Sequence, residues 1–240
     1  MTKTLHALRW VEISGDQLRR RKKSTRGQSF VELALLFPVL LIILSGLVEY
    51  GFVLNQYLNL LDGAREAARF ASDGDPFQRQ PANTNCSTAL GPVTNDFYNQ
   101  AACLGMQVAR PLVLDPATDD VVISAFAVSN GNVTNRYPVN PLDPPSPGVP
   151  STETSGEWHM YGYGGECDAD SSTCHPSHFS EGEIETRLSG SAPNTGIILV
   201  EVFFDYDQIL KLPWITAFVP DPMRIHVYSI MPLVAAEPDA

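Results

Sequence analysis

The chain has 240 residues, of which 44% are hydrophobic and 18% charged, so it can bury a core and carries too little charge to be disordered throughout. Its net charge of −11 and pI near 4.8 argue against nucleic acid as a partner, because phosphate binding rests on clustered Lys and Arg. The charge is unevenly placed: residues 1–27 hold eight Lys/Arg against Glu12 and Asp16, a net of +6, while the other 213 residues hold eight against 25 acidic groups, a net of −17.

After this basic head, Leu33–Val48 is an uncharged run of 16 residues, twelve of them Leu, Ile, Val or Phe. On a biological insertion scale those twelve contribute roughly −4 to −7 kcal/mol together, which favours a membrane over water. At 1.5 Å per residue the run spans about 24 Å against a hydrocarbon core of about 30 Å, so Phe30 and Val31 before it and Tyr50–Leu54 after it are expected to help cross. A single-span anchor follows. By the positive-inside rule the cluster Arg19–Arg26 keeps the head in the cytoplasm and places the acidic body outside it. A cleaved secretory signal shares the basic head and apolar run, but no small-x-small pair closes this one.

The run leads instead into further helix. Leu54, Tyr57, Leu58, Leu61, Ala64 and Ala68 recur at spacings of three and four, and Ala64-Arg65-Glu66-Ala67-Ala68-Arg69 has high helix propensity. One helix is therefore expected over about residues 29–71, stopped by Asp73-Gly74-Asp75-Pro76. Pro38 removes one backbone hydrogen bond and predicts a kink or loosening near residues 34–38. Asp62 with Arg65 and Glu66 with Arg69 are i,i+3 pairs on a wetter face. Glu49 falls near the outer boundary and reads as an interfacial group.

The segment Arg26-Gly27-Gln28-Ser29-Phe30-Val31-Glu32-Leu33-Ala34-Leu35-Leu36-Phe37-Pro38, with Glu49-Tyr50-Gly51 and Ala64–Arg69 after it, resembles TadE-like proteins, the pilin-like (pseudopilin) proteins of the tight-adherence pilus. The resemblance implies that a prepilin peptidase on the cytoplasmic face cuts a leader, residues 1–27, between Gly27 and Gln28. Glu32 then stands fifth in the mature chain, where it would pair with the new Gln28 ammonium of a neighbouring subunit and set the register of a filament. Membrane physics supports a special role for Glu32 independently, because a carboxylate at the start of a spanning helix is costly unless water or a positive group meets it. The implied partners are the membrane, the peptidase, other pilin-like subunits and the pilus assembly machinery. The domain plan is a leader at 1–27, a transmembrane and amphipathic helix at 28–72, and an extracytoplasmic domain at 73–240.

In that last part, residues 73–100 are rich in Asn, Thr, Pro and Gln, residues 101–110 suit a short helix, and Val121–Val128 suits a strand. Residues 137–156 hold six prolines and predict an extended surface loop. Gly196–Tyr206 is the clearest strand, and Arg224–Val234 is another. Between them Ile209–Val219 suits a short helix whose Leu, Trp, Ile and Phe side chains are expected in the core. The body is expected to be α+β with an antiparallel sheet.

Cys86, Cys103, Cys167 and Cys174 all fall on the outer side, where an even count and an oxidising environment favour two disulfides. Three pairings are possible; Cys86 with Cys103 and Cys167 with Cys174 each close a local loop and are preferred. A zinc site at Cys167, Cys174, His175 and His178, with Asp168 and Asp170 near, has suitable ligand types but poor spacing, and the Asp168–Ser172 stretch lacks the Gly and closing Glu of a calcium loop. No bound metal or cofactor is therefore expected. His226 reads as a strand residue with a satisfied partner. No enzyme signature is present, neither a nucleophile elbow nor a phosphate-binding loop nor a zinc helix. The leading expectation is a non-enzymatic pilus subunit. The alternative is an anchored extracytoplasmic ligand-binding module, metal-dependent or metal-free, with an anchored hydrolase third.

Overall fold

The computed structural model describes residues 26–76, 97–138, 156–160, 175–188 and 194–233. The expected leader up to residue 25, Cys86, Cys167, Cys174 and most of the Pro-rich loop lie outside them. The chain divides into two units, Met1–Ser45 and Gly46–Ala240.

In the first unit the described residues are all helical and begin α1, which runs Arg26–Ser72 without interruption through Pro38. Phe30, Leu33, Leu35, Leu36 and the other large apolar side chains up to Leu44 are exposed. The 18-residue apolar window of this helix has a mean hydropathy of 2.6 and none of it is buried within the protein. Such a surface is stable in lipid or against another apolar surface, not in water.

The second unit is an α+β domain. Its elements after α1 are α2 (Phe97–Val108), β1 (Asp120–Ser129), β2 (Asn132–Tyr137), β3 (Trp158–His159), α3 (Glu181–Arg187), β4 (Thr195–Tyr206), α4 (Pro213–Thr216) and β5 (Met223–Leu233). The sheet order is β2-β1-β4-β5 with every pairing antiparallel, and β3 joins β1 through Val122 and Ile123, along the edge that β2 occupies further on through Ala125–Ser129. The expected strands are present with ends moved by one residue, and α2 starts four residues before its expected position.

Strand alternation sorts the core into two layers. Val121, Ile123 and Ala125 of β1 and Ile198, Val200 and Val202 of β4 face Leu60, Ala64, Ala67, Ala68 and Ala71 of α1 and Phe97, Ala101 and Ala102 of α2. Phe126, Val128, Ile197 and Leu199 point the other way and pack on Phe179 and Ile184 at α3. Both faces of the central strands are thus covered, which is why Gly196–Val200 reads as one apolar run instead of an alternating one.

The alanines of α1 are buried because α2 lies close. A Cβ on Gly105 would stand 2.6 Å from the Gly63 carbonyl oxygen, and one on Gly63 would stand 2.8 Å from that of Gly105. No side chain fits at either position without parting the helices. Leu54, Tyr57 and Leu58, expected on the same buried face as Ala64, remain exposed. Among the apolar side chains of α1, full burial starts at Leu60, with Val53 packed half-buried against the core before it. The pairs Asp62 with Arg65 and Glu66 with Arg69 form on the exposed side at 3.6 and 2.5 Å.

Candidate membrane-proximal assembly site

Gly27 and Gln28 lie in the first turn of α1, where helix ends fray most readily. Gly27 is exposed, and a Cβ placed there would meet nothing within 4 Å. Glu32, one turn further along, is exposed too. Further along, Ser45 Oγ donates to the Ile42 carbonyl at 2.9 Å, the usual way for a hydroxyl to be satisfied inside an apolar helix.

The apolar run ends at Glu49, and here an interfacial reading underestimates the residue. Glu49 is only 5% exposed. Its Oε1 accepts the Tyr206 hydroxyl at 2.7 Å and the Ile209 N–H at 2.9 Å, and its Oε2 accepts the Leu210 N–H at 2.9 Å. Burial, with the hydrogen bond and negative charge of Glu49, holds the Tyr206 phenol above its ordinary range. One carboxylate thus fastens α1 to the end of β4 and to the loop that follows it.

That loop overturns another expectation. Residues 209–219 were expected to fill the core, yet Phe218 is 88% exposed, Ile209 54% and Trp214 40%. The physical reason is that β4 and β5 pair directly along their whole length and their inner face is already covered by α1, so the connection has no core left to enter. It is ordered nonetheless. Gln208 Nε2 donates to the Val219 and Pro220 carbonyls at 3.0 and 3.2 Å, and the Gln208 N–H donates to Asp221 Oδ1 at 3.0 Å, so the two ends of the loop are clasped.

Two buried polar clusters hold the sheet on its other side. Glu201, fully buried in the middle of β4, has its Oε1 hydrogen-bonded to His226 Nε2 at 2.9 Å and to the His178 N–H at 3.0 Å, while its Oε2 accepts the Ser177 hydroxyl. His178, His226 and Phe203 stack in sequence with ring centroids 4.5 and 4.6 Å apart. His175 packs on Phe203, with its Nε2 2.7 Å from the Thr118 carbonyl oxygen. The two histidines of the conceivable zinc set therefore serve as packing and hydrogen-bonding groups, and among the described residues no three His, Cys, Asp or Glu are placed to hold a metal. His226 has the satisfied strand position expected of it. Cys103 lies on α2, and no cysteine is free among the described residues.

The second cluster is built on His159 of β3. Its Nδ1 lies 2.8 Å from Asp120 Oδ2 and its Nε2 3.5 Å from Glu157 Oε2, and Glu157 Oε1 reaches Arg136 at 3.0 Å. Burial opposes a charged ring, but the hydrogen bonds and charges of Asp120 and Glu157 outweigh it and raise His159 from 6.5 to about 9. Because the folded value is raised, its stabilisation is complete below pH 6.5 and is lost as pH rises through 9. The amount at stake is on the order of 3 kcal/mol. Thermal unfolding of the detergent-solubilised chain should therefore give a clearly lower midpoint at pH 9 than at pH 6.5, and His159→Gln should flatten that dependence. Equal midpoints for the unmodified chain would contradict the assignment.

A helix with an 18-residue apolar window that is not buried within the protein, and whose second part is built into an antiparallel-sheet domain, supports a single-pass anchored α+β protein. Within that class the particular likeness is to TadE-like proteins, whose family model matches residues 27–69. The match points to assembly of the tight-adherence pilus. No curated protein and no solved structure matches the chain.

Proposed function

We propose that this chain is a membrane-anchored pilin-like subunit, matured by a prepilin peptidase between Gly27 and Gln28, that takes part in assembling a tight-adherence surface pilus. The observation that carries the reading is that the family match begins at Gly27 itself and continues along α1. Supporting it are the exposure of Gly27 in the first helical turn and the i,i+4 placement of Gln28 and Glu32. Cutting creates an ammonium at Gln28, and the Glu32 carboxylate of an adjacent subunit meets it in a setting where an unpaired charge is costly. The basic head stays in the cytoplasm and the acidic domain stands outside, with its cysteines joined in two disulfides. The protein acts by assembly, without catalysis and without a cofactor.

The role of Glu32 is separable from that of the cleavage site. Glu32→Ala removes a carboxylate that the apolar anchor would rather lack, so insertion and cleavage should persist while recovery of the chain in pili sheared from the cell surface falls severalfold. Blots of membranes and sheared pili read both quantities. Recovery of the variant in pili at the unmodified level would remove Glu32 from the account.

A further inference from the structure

We propose that the loop between β4 and β5 is a second membrane contact, seated in the interfacial layer of the outer leaflet beside the exit of the anchor. This rests on the reading of α1 as a membrane span. Three observations carry it. The first is exposure built into a clasped segment: Phe218 stands out in solvent, and Ile209 and Trp214 are partly exposed, while Gln208 joins the ends of the loop. A patch of this kind in a fixed conformation marks a contact surface.

The second is position. The Ile209 and Leu210 N–H groups are both 2.9 Å from Glu49, the residue immediately after the uncharged run Leu33–Val48. The loop is therefore held near the outer end of the apolar run, in the boundary region where Trp is favoured in membrane proteins. The third is charge. Pro213–Pro220 is uncharged, while at the base of the loop Lys211 is within 3.4 Å of Asp207 and 3.5 Å of Asp221. An apolar tip over a charged base suits the step from acyl chain to headgroup, with insertion of about 5–10 Å. Two contacts, the helix and the loop, would fix the tilt of the domain on the bilayer, which a single helix leaves free.

The test uses the full-length chain reconstituted into phosphatidylcholine vesicles whose acyl chains carry bromine either near the glycerol end or near the terminal methyl. Fluorescence lost from unmodified protein is compared with that lost from Trp214→Phe, so the difference belongs to Trp214. Leu41→Trp reports on the anchor in the same vesicles. The proposal expects Trp214 emission to be quenched by the shallow bromines and little by the deep ones, with Leu41→Trp quenched most by the deep bromines. Phe218→Asp should reduce the Trp214 quenching severalfold and leave Leu41→Trp unchanged. If Trp214 escapes both lipids while Leu41→Trp is quenched, the loop faces a protein neighbour or water and the proposal is overturned with the anchor intact. If Leu41→Trp also escapes, the anchor reading itself fails.

Discussion

Glu49→Ala is expected to destabilise the domain by about 2–4 kcal/mol, since it strips one hydroxyl and two backbone N–H groups of a shared acceptor at a site where water enters poorly. The three donors are the Tyr206 hydroxyl and the N–H groups of Ile209 and Leu210. Tyr206→Phe removes one of these bonds and should cost about 1 kcal/mol. Glu49→Gln keeps one acceptor oxygen but turns an amide NH2 toward a backbone donor, so its cost should fall between the other two. Denaturant unfolding of the solubilised chain orders the three variants, and limited proteolysis of the β4–β5 loop should accelerate most in Glu49→Ala. Unchanged stability of Glu49→Ala would mean that the carboxylate does not hold the loop, and the membrane-proximal geometry drawn from it would fall.

Gly27→Leu should abolish maturation while leaving the fold untouched. Among the described residues nothing lies within 4 Å of a Cβ at position 27, so a larger residue meets no obstacle there and the expected effect comes from outside the domain. The peptidase subsite that accepts glycine supplies that obstacle in the proposed account. The precursor should then remain in the membrane, because the anchor is unaltered and the leader adds six net positive charges on the side where they already reside. It should be missing from sheared pili, because without cutting there is no Gln28 ammonium for a neighbouring Glu32. Membrane retention with loss from pili is the expected pair of results, and full recovery in pili would contradict it.

Much of the architecture could be read from residue patterns. The apolar run, the alanine-rich continuation and the Asp-Gly-Asp-Pro stop gave α1 to within three residues at each end, and β4 announced itself through its density of β-branched and aromatic side chains. The strand β2 escaped because its Asn-Val-Thr-Asn-Arg-Tyr sequence is polar, as an edge strand can be. The signal for it was Asn130-Gly131, whose φ values of 51° and 81° form the tight hairpin turn that such a pair favours. The helix α3 was signalled as well, by a Ser180 and Glu183 capping box that is present in full.

What no local pattern could give is the partnership of residues far apart in the chain. Glu49 finds its donors about 160 positions away, and periodicity reports nothing about a carboxylate that serves a distant loop. Glu201 likewise interrupts an apolar strand for reasons visible only once His226, Ser177 and His178 surround it. The misplacement of residues 209–219 has a related origin. Large apolar side chains belong in a core on average, but at the membrane boundary the same composition suits the surface.

The most direct test of the account is the amino terminus of the mature protein. The unmodified chain, extracted from membranes or sheared pili and analysed intact by mass spectrometry, should have lost residues 1–27 and begin at Gln28 with the apolar helix still attached. A chain that retains the full leader in pili, or one cut beyond Val48 so that the anchor is gone, would contradict the pilin-like account at its foundation.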